Sequence, residues 1–274
     1  MKIFISSDME GTAGVVDWDQ CMSTGLQYPY YADLLTAEIN AAIEGAMQAG
    51  ATEFLVNDAH SKMANLKPDA LAGRASYLSG RYKPMYMMQG LDRSFDAIFL
   101  VSYHGSMGSE GSTLSHTYFP LAFAEVTING IVAGEAGINA LVASAYGVPI
   151  VLVTGDETTA EETRRFCPAI KAAVVKKSIT RFAAESLHPS VAQDLIREQA
   201  GLALDELSTA GAPEIERPVT LAISFRTSDY CELASRVAGV DRTGPLAATI
   251  VSEDPLEIYQ RFITVVLLCR GLVE

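Results

Sequence analysis

The chain is predicted to be an α/β protein: a three-layer αβα domain around a mostly parallel, mixed sheet, with a smaller C-terminal α/β domain. Three observations predict it. Short apolar runs at residues 3–7, 54–56, 98–101 and 150–153 are each bounded by polar or turn residues, as buried parallel strands are. Helical spacing separates the first two runs, since Leu35, Ile39, Ala42, Ile43 and Ala46 share one face before Gly50 stops the pattern. The chain has 274 residues, 49% of them hydrophobic, enough to bury a large core without a staple or a partner.

The remaining elements follow in order. A second helix is expected over 135–146, and a third from Asp156, a good N-cap, to Phe166. Apolar residues flank Asn129-Gly130, the strongest short-range hairpin signal, and this makes the expected sheet mixed. Past Lys177 come a long helical stretch at 189–207, a turn at Gly211-Ala212-Pro213, a strand near 219–225 and a last helix from Asp254. The expected division is a larger domain over 1–180 and a smaller one over 181–274.

Charge and composition narrow the partners. Lys plus Arg number 20 against 33 Asp plus Glu, and a net charge of −13 opposes binding to phosphate backbones or anionic lipid. Neither nucleic acid nor membrane is expected. The chain reaches Asp8 without the apolar stretch of a secretory signal, and the late apolar run at 263–269 is too short to span a bilayer. Cysteines 21, 167, 231 and 269 form no paired motif and read as reduced thiols of a cytoplasmic protein.

The polar residues at the strand ends carry the chemistry. Asp8 and Glu10 follow the first run, Asn57, Asp58 and His60 the second, and His104 the third. In an open parallel sheet these C-terminal ends share one edge, where ligands bind. Taken singly, an acid at a strand end is ordinarily a solvated cap and a lone histidine a hydrogen-bonded structural residue. Economy argues otherwise, because the chain has four histidines and two of them end apolar strands. Mixed carboxylate and imidazole ligands favour zinc over magnesium or calcium, with manganese or cobalt as lesser alternatives. Glu135, which opens a helix after Gly134, can complete the set. Two metals sharing one carboxylate are a common hydrolytic arrangement. His116 follows a Gly- and Ser-rich loop at 105–112 and is a candidate general base or nucleophile. His188 precedes Pro189 and reads as a helix start.

These residues form an ordered pattern. Ser6-Ser7-Asp8-Met9-Glu10-Gly11, Asn57-Asp58-Ala59-His60, Tyr103-His104-Gly105, Ser115-His116-Thr117 and Asn129-Gly130 leading to Gly134-Glu135 resemble the D-aminopeptidase family of dinuclear zinc peptidases. The resemblance spans most of the first 150 residues. It implies two zinc ions per chain, with Asp8 bridging them, Glu10 and His60 completing one site, and His104 and Glu135 the other. It also implies His116 as nucleophile or base, an aminopeptidase acting on short peptides containing D-residues, and a homo-oligomer, a decamer with an enclosed chamber. No motif in the C-terminal half carries over substrate contacts.

Two other readings differ in kind. Asp8-Met9-Glu10-Gly11-Thr12 also resembles the first motif of proofreading exonucleases, but that family requires a β-meander directly after the motif, and here a helix is expected. A non-catalytic metal- or peptide-binding protein on the same fold is the other, and His116 discriminates it from an enzyme.

Overall fold

The structure is a computed structural model that describes residues 1–272. Seven strands form the main sheet: β1 (Lys2–Ser7), β2 (Glu53–Asp58), β3 (Ser76–Leu78), β4 (Ala97–Tyr103), β7 (Ile150–Asp156), β8 (Lys171–Thr180) and β9 (Ala183–Ser186). Their order is β3-β2-β1-β4-β7-β8-β9, parallel throughout except for β9, which returns antiparallel to β8. A second sheet, all antiparallel, combines β5 (Phe123–Ile128) and β6 (Ile131–Val132) with β10 (Val219–Phe225), β11 (Val240–Gly244) and β12 (Ala247–Ser252).

Strand alternation sorts the core into two layers. On one face Ile3, Ile5, Phe99 and Val101 pack against Leu35 and Ile39 of helix α2 (Tyr28–Gln48) and Ile196 of helix α5 (Pro189–Asp205). The neighbouring Phe4, Ile98 and Leu100 point the other way. There they join Ile138 of α3 (Glu135–Tyr146), Ala160 of α4 (Glu157–Arg164), Phe262 of α7 (Pro255–Arg270) and Leu221 of the second sheet. The short helices α1 (Trp18–Cys21) and α6 (Ser228–Ala234) complete the chain. Among the described residues no helix is long and apolar enough to cross a membrane.

The α/β architecture and mixed main sheet match the expectation, and Asp156 and Asp254 cap α4 and α7 with their carboxylates. The Asn129-Gly130 hairpin forms, with φ of 49° and 79°, but its strands enter the second sheet. The antiparallel strand of the main sheet is β9 instead. A hairpin signal fixes local chain reversal and says nothing about which sheet accepts the strands. Residue 180 falls at the end of β8, before the turn to β9, and α5 packs on α2 on the same face of the main sheet. The second sheet draws strands from both sides of that position.

Helices α2 and α5 approach through a glycine. A Cβ on Gly45 would lie 2.1 Å from the Arg197 carbonyl oxygen, backbone that cannot yield without separating the helices. Gly45→Ala is therefore expected to destabilise the fold by about 1–3 kcal/mol, read as a lower urea midpoint.

Candidate active site

The site is assembled at the C-terminal edge of the parallel strands. The loop after β1 crosses to β4, where the Asp8 N–H donates to the Val101 carbonyl (2.9 Å) and the Gly11 N–H to that of Ser102 (2.8 Å). A Cβ on Gly11 would sit 2.0 Å from the Tyr103 carbonyl oxygen, so only glycine lets the loop lie this close. After β2, the Asp58 carboxylate accepts from the backbone and side-chain amides of Asn65 and the N–H of Leu66. The Asn65 side chain also holds the His60 carbonyl (2.8 Å), and the Lys83 ammonium donates to Asn57 Oδ1 and the Asp58 carbonyl, both at 2.6 Å. Asn57 and Asp58 thus brace the loop that presents His60.

At the end of β4 the backbone breaks at Ser102, a non-glycine residue with φ of 60°, and the register with β7 shifts between Leu100 and Tyr103. Such a conformation persists only when its surroundings hold it. Here the Ser102 N–H donates to Thr154 Oγ1 (2.8 Å) and its hydroxyl to Glu38 Oε2 (2.7 Å). The break delivers His104 to the cluster.

Asp8, Glu10, His60, His104, His116 and Glu135 come together in one cluster, all of them buried except His116, which is partly exposed. His60 Nδ1 lies 3.2 Å from Asp8 Oδ1 and 3.0 Å from Glu10 Oε2. His104 Nε2 lies 3.4 Å from Asp8 Oδ2 and 3.7 Å from Glu135 Oε1. His116 stacks on His104 with ring centroids 4.5 Å apart, and its Nε2 is 3.6 Å from Glu10 Oε1 and 3.9 Å from Glu135 Oε1. Trp18 meets the His116 ring edge-to-face.

The outward nitrogen of each imidazole settles its tautomer. His60 Nε2 faces the Cys21 carbonyl (2.7 Å), His104 Nδ1 the Gly105 carbonyl (2.9 Å) and His116 Nδ1 the Leu114 carbonyl (2.8 Å). A carbonyl can only accept, so each outward nitrogen carries a proton, and each ring in its neutral form turns a lone pair inward. Those lone pairs face carboxylate oxygens, an arrangement that repels unless a cation lies between them. Asp8 Oδ2, Glu10 Oε2 and His104 Nε2 have no hydrogen-bond partner among the described residues.

Without a metal, only protons can relieve this repulsion. Burial disfavours charge on His104, yet Asp8 and Glu135 outweigh it and push its pKa up to about 10; Glu10 and Asp8 likewise carry His60 well above the usual range. Burial raises Glu135 to about 8 against the pull of His104. For Asp8 burial is outweighed by the His104 and His60 rings beside it, which in their protonated form hold it well below a normal carboxylate. His116 differs, since burial lowers its pKa and Glu10 does not fully compensate. A carboxylate and imidazole set with inward lone pairs fits zinc, and the outward hydrogen bonds are those that orient metal-binding histidines. The ligand atoms of Asp8, His104 and Glu135 lie within 4.8 Å of one another, as do those of Glu10, His60 and Cys21. Burial raises the Cys21 thiol far above its normal range, and its Sγ is turned to backbone carbonyls, so it stands as a neutral neighbour.

Several residues at the site lie outside the predicted set. Glu38 on α2 accepts from the Ala13 N–H (2.8 Å) as well as from Ser102, and Lys176 on β8 donates to the carbonyls of Glu10, Thr12 (3.1 Å) and Val15 (2.7 Å). Both were visible as charges within apolar patterns, Glu38 between Leu35 and Ile39 and Lys176 after Val174-Val175. His188 is exposed and caps α5, accepting from the Ser190 N–H, away from the cluster.

A cavity of about 350 Å³ opens on the cluster, within the usual size of a small-molecule site. Asp8, Glu10, His60, His116 and Glu135 line it together with Trp18, Tyr86, Phe119, Arg81 and Arg270.

Lys176→Met preserves bulk but strands three buried carbonyls, each unmet acceptor being costly. A loss of roughly 2–4 kcal/mol in urea unfolding is expected, with weaker retention of metal under chelator because Glu10 rides on the released loop.

The chain is similar to known proteins along its length. The model of peptidase family M55, described as D-aminopeptidase, matches residues 1–264. A D-aminopeptidase of Bacillus subtilis (strain 168) is 36% identical over 265 residues, covering 95% of this chain and 94% of that protein. The solved structure of the Bacillus subtilis Zn-dependent D-aminopeptidase DppA, a self-compartmentalizing protease, superposes with a TM-score of 0.94 at 32% identity over 100% of both chains. Identity of this extent along the whole chain shows that the protein belongs to the D-aminopeptidase family, peptidase family M55.

Proposed function

We propose that the chain is a zinc-dependent aminopeptidase that removes the N-terminal residue of short peptides containing D-amino acids, using two zinc ions per chain. The observation that carries this reading is the set of three imidazoles whose inner nitrogens converge on buried carboxylates. The Bacillus relatives, a D-aminopeptidase and a Zn-dependent one, support the same chemistry. The two oxygens of Asp8 address different histidines, His60 through Oδ1 and His104 through Oδ2, which suits a bridging carboxylate. Glu10 and His60 complete one position, His104 and Glu135 the other.

Bound zinc supplies Lewis-acid polarisation of the scissile carbonyl and a lowered pKa for the attacking water. The protein supplies the proton path and the orientation. His116 Nδ1–H is committed to Leu114, so Nε2 presents a lone pair beside Glu10 and Glu135 and can accept a proton as attack proceeds. The same nitrogen can return that proton to the leaving amine. Carboxylates not saturated by metal can hold the substrate's free α-ammonium, which would select peptides with an open N-terminus.

The exonuclease alternative finds no support, since α1 and α2 follow the Asp8-to-Glu10 segment where that family has a β-meander. We further propose a cytoplasmic homo-oligomer, with decamers enclosing the sites. Four buried free cysteines, the exposed apolar residues Met22, Leu26 and Tyr30, and the self-compartmentalizing relative support it.

Metal analysis of the purified protein is expected to give two zinc ions per chain, and chelation to abolish D-alanine release from D-Ala peptides. Full activity in metal-free protein would end this reading. His116→Ala should retain both zinc ions while turnover falls by about 10²–10⁴-fold; unchanged turnover would remove His116 from catalysis. Light scattering should return a mass near ten times the 29.4 kDa of one chain, and a monomer would refute the enclosed chamber.

A further inference from the structure

Three carboxylates of the cluster face the cavity, and only two Lys or Arg residues share its lining: Arg81 and Arg270. Neither guanidinium has a carboxylate partner among the described residues. Arg270 sits in the last turn of α7 and is held in place without being neutralised. One of its terminal nitrogens donates to the Tyr118 carbonyl (2.9 Å), and its guanidinium lies over the rings of Tyr86 and Phe119, 5.5 and 5.7 Å from their centroids. Its Nε is buried with no hydrogen-bond partner among the described residues. A fixed guanidinium that lines the cavity without a carboxylate partner among the described residues is suited to a carboxylate.

The backbone sets the spacing. Tyr118 accepts from Arg270 through its carbonyl and donates to Glu135 Oε1 (2.6 Å) through its N–H. One residue's covalent length therefore separates the two contacts, and Arg270 stands no more than about 10 Å from the Glu135 carboxylate. An extended peptide advances roughly 3.3–3.6 Å per residue. A substrate whose first carbonyl lies at the cluster thus brings a terminal carboxylate to Arg270 after one or two further residues. A second, smaller cavity of about 200 Å³ also counts Arg81, Tyr86 and Arg270 among its lining residues, so these side chains stand between the two spaces.

We propose that Arg270, assisted by Arg81, binds the free C-terminal carboxylate of the substrate, so that the site selects di- and tripeptides by reading both of their charged ends. The proposal rests on the aminopeptidase reading for the identity of the first carbonyl, while the anion subsite itself is a separate property of the cavity. It assigns Arg270, beyond the span of residues 1–264 matched by the family model, a role in substrate length selection.

The test is calorimetry on zinc-loaded protein with the reduced-bond isostere of D-Ala-D-Ala, in which –CH2–NH– replaces the scissile amide, as C-terminal carboxylate and as carboxamide. The carboxylate is expected to bind native protein about 10-fold or more tightly than the carboxamide, the worth of a charge-assisted hydrogen bond. Arg270→Gln should bring that ratio close to one, and Arg81→Gln should reduce it in part. Equal affinity of the two forms for native protein, or an undiminished ratio in Arg270→Gln, would overturn the proposal. If Arg270→Gln does not fold, Arg81→Gln carries the test, an undiminished ratio there or equal affinities in native protein overturning the proposal. Hydrolysis of D-Ala-D-Ala is followed in parallel: a preserved ratio without turnover keeps the carboxylate subsite and defeats the peptidase reading, whereas turnover with equal affinities does the reverse.

Discussion

Imidazole lone pairs directed at buried carboxylates are the constraint on which the rest of this structure depends. Each histidine donates to a backbone carbonyl on its outer side, so in the neutral ring the inner nitrogen has nothing to donate to Asp8, Glu10 or Glu135. In water such a set would separate and hydrate. Inside a protein it persists only if the backbone holds it or a cation joins it, and the backbone device is evident here.

The backbone device is a ring of buried polar clamps. Lys176 pins the Glu10 loop by three carbonyls, Glu38 ties that loop to the broken end of β4 through Ala13 and Ser102, and Asp58 with Lys83 secures the His60 loop. Burial lowers the Lys176 ammonium to about 8 and raises Glu38 to about 7, a measure of how much solvation each gives up. Tyr118 serves two purposes, fixing Glu135 through its N–H and Arg270 through its carbonyl. The cluster and the cationic part of the cavity are consequently one rigid unit.

The candidate ligands were legible because each stands directly after an apolar run, where the rule of converging strand ends applies without three-dimensional knowledge. Glu135 was legible because Gly134 and the Asn-Gly hairpin mark the start of α3. Arg270 was not, because a basic residue in the last turn of a helix is ordinarily complementing the helix dipole. Nor was Cys21, whose contribution is a carbonyl that any residue type provides. Lys176 and Glu38 left a visible signal, a charge inside an apolar pattern, but its meaning depends on which loop lies opposite.

The sequence by itself determined β1, β2, β4, β7 and β10, the longer helices, the starts of α4 and α7 at Asp156 and Asp254, the β5–β6 hairpin and the residue types that converge at one sheet edge, since these follow from local periodicity and chain direction. Tertiary structure alone decided that the hairpin joins the second sheet, that α5 returns to cover α2, and that α7 brings Arg270 to a cavity begun by Asp8. Those outcomes depend on which apolar faces find one another between segments far apart in the chain, and local pattern carries no record of the partner.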